Sequence, residues 1–572
     1  MQNIDLVNNR LNQRPIIFHP PATKGGSLRR EPARVLFCVL PYLVSQPDSP
    51  KAGKSVRSFL AFPYGVLTMA SYLNKHAIPK PSVGVLDLNL YDSTEERVIE
   101  LQRALHELKP DVVGFSMSYD ISYSHVLKLS EVVKKFDPKV LTVMGGPAVT
   151  TAWDEILIEQ PFLDALCYSE GELAMKNLLE SDDFLTQLKK DPWVTRDSIA
   201  TGREPQTLVL DELDDVIHLD YELVDRKRYS MKEAFSPFAS YRNDTNTKQF
   251  FIVTSRGCPF KCVFCAEPSF HGKSMRYANV DTIIEHVEFL VDRYGMNVLT
   301  IYDDQLLIER PRAKELFDKL AKFNLRIEMP NGITMAFIDD ELAYLMKRAG
   351  VDTVFLAIES GSEYVNKRII KKPIRLDKAK TIIENLRKND IFVQSFFIFG
   401  FPGETDEHRE ETRQFIYDVG IDWSFFNYAT PLRGSELYKT CKEKGWIDEK
   451  YLGIGKVDMS EYVIRAPGLD PKHISDYVYR MNLETNFVNN YRMRVGDYAK
   501  AKKCFEEVLD RHPDHPFALY YLSKAIDYLG ENAELKIKLQ EKYYRIVQEN
   551  EKWALLAKSF NMPTNEFDVL EI

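Results

Sequence analysis

The stretch Ser255-Arg-Gly-Cys-Pro-Phe-Lys-Cys-Val-Phe-Cys265 decides how the rest of the chain is read. Three of the seven cysteines, Cys258, Cys262 and Cys265, fall within eight residues there. Just before it, Gln249-Phe-Phe-Ile-Val-Thr254 is apolar and β-branched, the composition of a buried strand. Gly257 and Pro259 break that strand. The cysteines therefore belong on a loop at a strand's C-terminal end, where α/β folds gather their chemistry. Thiols this close imply a shared ligand. Zinc requires a fourth ligand, and His271 is the only nearby candidate, with no second Cys-x-x-Cys following. An iron–sulfur cluster held by three cysteines leaves one iron open to a small molecule. The plainer alternatives are a disulfide with a spare thiol, or inert buried cysteines; cytosolic redox conditions and the loop context speak against both.

Downstream of the loop, strand and helix patterns alternate to about residue 445. Helix 281–294 leads to strand 297–303, helix 312–323 to strand 326–329, and helix 339–348 to strand 353–358. Helix 376–389 leads to strand 392–399, and helix 406–419 to strand 423–430. Six such units predict an open parallel barrel with its site at the strand C-termini. The strand ends carry polar or small residues. Tyr302-Asp-Asp-Gln305 places two carboxylates after the second strand, where an Asp pair also serves as a helix cap. Ala357-Ile-Glu-Ser-Gly-Ser362 ends the fourth strand, and a charged Glu359 after an apolar run needs a partner. Phe399-Gly-Phe-Pro-Gly-Glu-Thr405 ends the fifth with glycines that admit a ligand to the backbone. Pro431-Leu-Arg-Gly-Ser-Glu-Leu437 follows the sixth.

Upstream, residues 1–33 read as an irregular Pro- and Gly-containing arm. Strands at 34–41, 82–87, 111–118 and 139–144 alternate with helices at 62–73, 95–108 and 123–135, and a long loop spans 44–58. That order predicts a doubly wound, flavodoxin-like sheet. Gly114-Phe-Ser-Met-Ser118 and Gly145-Gly-Pro-Ala-Val-Thr150 put small residues at strand ends, and Glu170-Gly-Glu172 follows. Tight turns in a plain α/β domain account for such residues as readily as a ligand does. Residues 181–248 read as an ordered connector, with Leu210-Asp-Glu-Leu-Asp-Asp215 as a solvated acidic face.

The spacing Cys-x-x-x-Cys-x-x-Cys, with Phe264 before the last cysteine, resembles the signature of the radical S-adenosylmethionine (SAM) superfamily. The resemblance implies a 4Fe–4S cluster on Cys258, Cys262 and Cys265. Its open iron would chelate the amino and carboxylate groups of SAM, and reduction would cleave SAM to a 5′-deoxyadenosyl radical. It also implies SAM-binding positions at Phe264, Asp303, Asp304, Glu359, Ser360, Gly400 and Gly403. The Gly-Gly-Glu motif that often holds the SAM amino group is missing at Asp303 and Asp304. The N-terminal pieces, Pro-Tyr-Gly opening a helix, Gly-Phe-Ser-x-Ser, Gly-Gly-Pro-x-x-Thr and Glu-Gly-Glu, resemble in their order the cobalamin-binding domain that precedes many radical SAM cores. By that resemblance Ser116, Ser118, Gly145, Gly146, Thr150, Gly171 and Glu172 would line the corrinoid or its nucleotide tail. The Asp-x-His-x-x-Gly motif that supplies a cobalt ligand is absent; Asp510-Arg-His512 begins it, but His515 stands where Gly is required. Cobalamin bound with no nitrogen below the metal is the expectation.

The chain has 572 residues, 44% of them hydrophobic, and a formal charge of −9. This suits a several-domain globular protein. The division expected is an arm (1–33), a cobalamin-binding domain (34–180), a connector (181–248), a radical SAM core (249–470) and a helical tail (471–572). Basic residues form no dominant stripe, so nucleic acid is not an expected partner. Neither a signal core nor a run of ~18 apolar residues is found, and a cytoplasmic location is expected. In the tail, Gly496-Asp-Tyr-Ala-Lys-Ala501 with Phe505, Pro513, Ala518, Tyr521, Ala525 and Gly530 follows tetratricopeptide spacing for about one repeat. It reads equally as a helical hairpin capping the barrel or as a site for a protein partner.

The function expected from the resemblance is methyl transfer to an unactivated carbon by a cobalamin-dependent radical SAM enzyme. The substrate would be a small molecule, lipid or peptide, and an external donor of flavodoxin or ferredoxin type would supply electrons. The same cofactors also serve a rearrangement, cyclisation or oxidation without methyl transfer. A methylthiotransferase would carry a second cysteine cluster, and the N-terminal half has only Cys38 and Cys167. A non-catalytic iron–sulfur scaffold is the reading from another class.

Overall fold

The computed structural model describes residues 18–19, 31–42, 62–229, 246–456 and 461–565. Most of the expected arm and the loop expected over 44–58 lie outside them. Within the arm's range, β1 (Phe18–His19) pairs antiparallel with β3 (Ser82–Asp87).

The N-terminal sheet has seven strands in the order β1-β3-β2-β4-β5-β6-β7. The remaining strands are β2 (Arg34–Val39), β4 (Val112–Ser116), β5 (Leu141–Gly145), β6 (Ala165–Cys167) and β7 (Trp193–Val194). The five inner strands, β3 to β6, are parallel, in the flavodoxin-like order. The chain reverses direction across the sheet beside β2, opening a crevice at the strand C-termini. Side chains of β2 alternate between two cores, as a period of two requires. Val35, Phe37 and Val39 join the core shared with the barrel. Leu36 and Cys38 join the core under helices Thr94–Leu108 and Val126–Phe136. A capping box of Ser93 and Glu96 starts the first of these helices.

The sheet extends past residue 180, because β7 pairs antiparallel with β6 and Trp193 is fully buried. Beyond it, Leu213, Val216, Tyr221 and Leu223 are buried in the shared core, so the connector is a packed wrap. Its acidic run is more than a solvated face. Asp214 accepts from the Asn279 amide at 2.6 Å, at the start of helix Val280–Tyr294, while Asp215 pairs with Lys75 at 2.6 Å.

The barrel has six parallel strands in consecutive order: β8 (Gln249–Ile252), β11 (Val298–Ile301), β12 (Arg326–Glu328), β13 (Thr353–Glu359), β14 (Phe392–Phe399) and β15 (Trp423–Tyr428). They form two triplets, β8-β11-β12 and β13-β14-β15. Single bridges, Ile327 to Val351 and Ile333 to Leu356, join the triplets. The run read as one strand over 249–254 ends at Ile252, and a short ribbon follows. There β9 (Ser255–Arg256) pairs antiparallel with β10 (Arg276–Tyr277), bracketing the cysteine loop.

In the tail, helices Tyr498–Arg511, Pro516–Leu529, Ala533–Glu549 and Glu551–Ser559 follow one another. Their core of Phe505, Phe517 and Tyr543 also contains Trp423 of β15. The Asn486 side chain accepts from the Ser424 amide and donates to its carbonyl, both at 2.8 Å. These bonds occupy the open edge of β15. Among the described residues no helix is long and apolar enough to cross a membrane.

Candidate active site

The cysteine loop is built by backbone geometry. Gly257 has φ +94°, and a Cβ there would lie 2.3 Å from the Ser274 carbonyl, so only glycine fits the turn. The Cys258 amide donates to the Gly272 carbonyl at 3.2 Å, and the Cys265 amide to that of Cys262 at 3.1 Å. Two further bonds seat the loop on the barrel rim: Val263 donates to Ile370 at 3.0 Å, and Leu437 donates to Val263 at 2.8 Å. Cys258 is buried, Cys262 and Cys265 are half-buried, and none is in a disulfide. Burial pushes the thiols up, Cys262 to about 11 and Cys265 to about 12, while Lys372 pulls Cys262 the other way. A buried thiolate here needs a cation or a metal to offset its desolvation. Among the described residues no three His, Cys, Asp or Glu side chains gather as ligands of one metal ion. The His271 ring, the candidate fourth zinc ligand, is instead engaged by Glu170 of the N-terminal domain at 2.9 Å.

The other strand ends face the same mouth, and their residues divide sharply. Asp303 is committed: it accepts from the Thr254 amide, the Thr254 hydroxyl and the Ser255 hydroxyl, each at 2.6 Å. Asp304 lies against Glu267 of the cysteine loop. Burial and the neighbouring Asp304 push Glu267 up to about 10, and among the described residues Glu267 Oε1 has no hydrogen-bond partner. Glu359 sits at a β-bulge with φ +68°, a strained conformation for a non-glycine residue. It is 5% exposed, and Lys372 donates to it at 2.7 Å, which supplies the partner its position demanded. Ser360 is buried beside Thr412 at 3.1 Å and shapes the turn. Gly400 has φ +88°; the Tyr462 hydroxyl donates to its carbonyl at 2.7 Å, and a Cβ would strike the Tyr462 ring at 2.4 Å. Gly403 has φ +92°. Phe264 packs against Phe401 between these glycines, with centroids 6.0 Å apart. Glu404, which sequence reasoning passed over, accepts from the Gly400 amide at 2.5 Å, and burial pushes it up to about 7.

A cavity of about 310 Å³ opens at the C-terminal ends of β2, β4, β5 and β6. Ser116, Ser118, Gly145, Gly146, Gly171 and Glu172 all line it. Gly146 has φ +118°, and a Cβ there would stand 2.5 Å from the Met117 carbonyl. Thr150 is one layer back: its hydroxyl accepts from the Ser169 amide at 3.0 Å and donates to the Gly146 carbonyl at 3.3 Å. Cys167 also lines the cavity, whereas His76, His106 and His125 do not. The opposite wall comes from the barrel, through Val253, Arg256 and the cysteine loop's own Phe270 and His271.

Buried charges join these walls. Glu170 accepts from Arg276 at 2.6 and 3.0 Å, lies 3.2 Å from Arg256, and holds His271. Burial opposes its ionisation, but His271, Arg256 and Arg276 together hold it well below the usual carboxylate range. Glu172 accepts from Arg256 at 2.8 Å. The Ser169 hydroxyl donates to the Phe270 carbonyl at 2.7 Å. At the far rim Arg433 donates to both oxygens of Glu155, at 3.0 and 2.9 Å. Sequence reasoning missed Glu170, Arg256 and Arg276 as a set. Their one signal was position: two arginines bracketing the cysteine loop, and a carboxylate in Glu-Gly-Glu.

The donors fit the groups expected. The free thiols on one loop, the adjacent Asp304 and Glu267 carboxyls and the open backbone at Gly403 suit a cluster with a zwitterionic ligand. The glycine-floored cavity, at the low end of ligand-pocket volumes, suits a nucleotide tail. Residues 252–416 match the radical SAM superfamily, and residues 51–179 match the B12 binding domain. The chain is 28% identical over 420 residues to cytidylyl-2-hydroxyethylphosphonate methyltransferase of Streptomyces wedmorensis, covering 68% of this chain and 77% of that one. It is 25% identical over 451 residues to anaerobic magnesium-protoporphyrin IX monomethyl ester cyclase of Rubrivivax gelatinosus, covering 77% and 74%. Its fold is that of the radical SAM methyltransferase TsrM of Kitasatospora setae with cobalamin and [4Fe-4S] cluster bound, at TM-score 0.55 and 14% identity, covering 78% and 91%. With both domains present and joined through one set of buried charges, the chain belongs to the cobalamin-binding radical SAM enzymes, and its cofactors are a 4Fe–4S cluster, SAM and cobalamin.

Proposed function

We propose that this enzyme transfers a methyl group to an unactivated carbon of a small-molecule biosynthetic intermediate. The observation that carries the reading is the shared wall: Phe270 and His271, on the cysteine loop, also line the cavity at the ends of the N-terminal strands. When bound, the cluster and SAM supply a 5′-deoxyadenosyl radical and cobalamin carries a methyl group, chemistry that a carbon without acidity or a leaving group requires. Cys258, Cys262 and Cys265 hold the cluster in this reading. Glu359, buried and hydrogen-bonded by Lys372 at 2.7 Å, accepts from the ribose hydroxyls of SAM. Gly403 admits the adenosyl group to the backbone, Gly400 lets the strand end turn beneath Tyr462, Phe264 packs beside them and Ser360 shapes the turn. Asp304 and Glu267 receive the SAM ammonium, and Asp303 positions the strand end. Ser116, Ser118, Gly145, Gly146, Gly171 and Glu172 receive the nucleotide tail, while Thr150 braces Gly146 from behind. The helical tail is a tetratricopeptide-like cap on the barrel edge.

The similarity to a cyclase supports a second reading, in which the same radical chemistry closes a ring and moves no methyl group. Trideuteromethyl-SAM separates the two. Reconstituted, reduced enzyme incubated with extract of its host should yield 5′-deoxyadenosine, S-adenosylhomocysteine and a product that retains the deuterated methyl group. Formation of 5′-deoxyadenosine with no S-adenosylhomocysteine and no labelled product would remove methyl transfer and leave the second reading.

A further inference from the structure

The chain is acidic overall, yet Lys367-Arg-Ile-Ile-Lys-Lys-Pro-Ile-Arg-Leu-Asp-Lys-Ala-Lys380 holds seven basic residues against one acid. The segment begins in a π-helical turn, Val365–Ile370, a form concentrated at functional sites. It lies directly against the cysteine loop, since the Ile370 carbonyl accepts from the Val263 amide at 3.0 Å. Only Lys372 turns inward, to Glu359. Lys367, Arg368 and Lys371 are exposed, as is Lys261 between the first two cysteines. Lys367 and Lys371 are partly neutralised by Glu363 and Glu436. Arg368 and Lys261 make no ion pair among the described residues.

We propose that Lys261, Lys367, Arg368 and Lys371 form the docking surface for an acidic one-electron carrier protein of flavodoxin or ferredoxin type. The inference rests on the cluster assignment made above. Lys261 stands two residues before Val263, and Arg368 two before Ile370, so the two unpaired cations flank the hydrogen bond that joins loop and turn. A negatively charged carrier is steered to such a patch, which raises its encounter rate. The Cys262–Val263 backbone then lies directly beneath it. In each encounter the reduced carrier loses one electron and the cluster gains it; no bond to the carrier forms. The turn's Ile369 faces Gly403, whereas the side chains of Lys261 and Arg368 are exposed, so their charges can be altered without replacing a residue of the SAM site.

The test uses cluster-loaded, full-length enzyme and measures SAM cleavage with two donors: reduced flavodoxin, and reduced methyl viologen, a small cation that needs no protein surface. Lys261→Glu with Arg368→Glu should raise the flavodoxin concentration for half-maximal rate about tenfold at low ionic strength, and the difference should vanish above roughly 0.5 M salt. The rate with methyl viologen and the iron content should be unchanged. Lys261→Gln with Arg368→Gln should give a smaller shift of the same sign. If both donors drive the unaltered enzyme and charge reversal leaves the flavodoxin titration unmoved, the docking surface is wrong and the cluster assignment stands. If neither donor supports cleavage, the proposed function itself fails. Loss of duplex DNA or anionic vesicle binding on reversal, with flavodoxin kinetics unaffected, would assign the patch to another polyanion and overturn the proposal.

Discussion

In the proposed function Glu359 has two roles that a single substitution cannot separate, because its carboxylate is also the counterion of buried Lys372 at 2.7 Å. Both side chains are under a tenth exposed. Removing one member of such a pair leaves an uncompensated charge, at a cost of about 3–5 kcal/mol. In a domain of about 200 residues each kcal/mol moves the melting temperature by roughly 2–4 °C. Lys372→Met alone should therefore lower the barrel's melting by roughly 6–20 °C. Replacing both partners, Glu359→Gln with Lys372→Met, removes both charges and should restore most of that loss. SAM binding should not return with it. Charge-assisted hydrogen bonds to a ribose are worth about 1.5–3 kcal/mol, so the double variant should bind SAM about ten- to 150-fold more weakly. The assays are anaerobic scanning fluorimetry and isothermal titration of SAM on cluster-loaded protein. A double variant that melts as low as the single one would show that the unpaired charge is not the cause. A double variant that binds SAM normally would take Glu359 out of the site.

Cys258→Ala, Cys262→Ala and Cys265→Ala should each abolish SAM cleavage in protein that otherwise binds about four irons; Cys38, Cys167, Cys441 and Cys504 should be replaceable by alanine with no loss of iron. Gly146→Ala forces a Cβ to within 2.5 Å of the Met117 carbonyl, so the variant should lose cobalamin on gel filtration. Gly202→Ala, at φ +66° with open space around it, should retain it. Glu404 gives a pH signature. Its folded value, about 7, lies above the unfolded 4.5, so its stabilising contribution is complete below pH 4.5 and lost as pH rises through 7, by at most about 3 kcal/mol. Circular dichroism melts of Glu404→Gln should show that fall flattened, and parallel profiles for the two proteins would contradict the assignment.

The sequence exposes most where local pattern carries the information. Strand and helix alternation, the cysteine spacing and the glycines at strand ends follow from periodicity and backbone sterics within one segment. Six of the seven residues expected around the corrinoid line the cavity for that reason; the seventh, Thr150, stands one layer behind, its hydroxyl bracing Gly146. What escaped depends on residues distant in the chain. Asp303 reads as a free carboxylate until Thr254 and Ser255, about fifty positions earlier, are brought to it. Glu359 reads as a ribose ligand awaiting a partner, and the fold supplies Lys372 first. The acidic Asp214 and Asp215 read as solvated, yet each meets a partner on another layer. The edge strand Trp193–Val194 is two residues long, too short for any alternation to register.

Arg256 and Arg276 are each 8% exposed, and their carboxylate partners, Glu170 and Glu172, belong to the other domain. Neither module can therefore be exchanged as a plain cassette. A chimera that grafts this barrel onto a different corrinoid-binding module must carry acids at both positions. Otherwise two guanidinium groups are left without counterions beside the loop that bears the cysteines. The same chimera with both arginines replaced by methionine would remove that obligation, at the expense of the lock that fixes one module's orientation on the other.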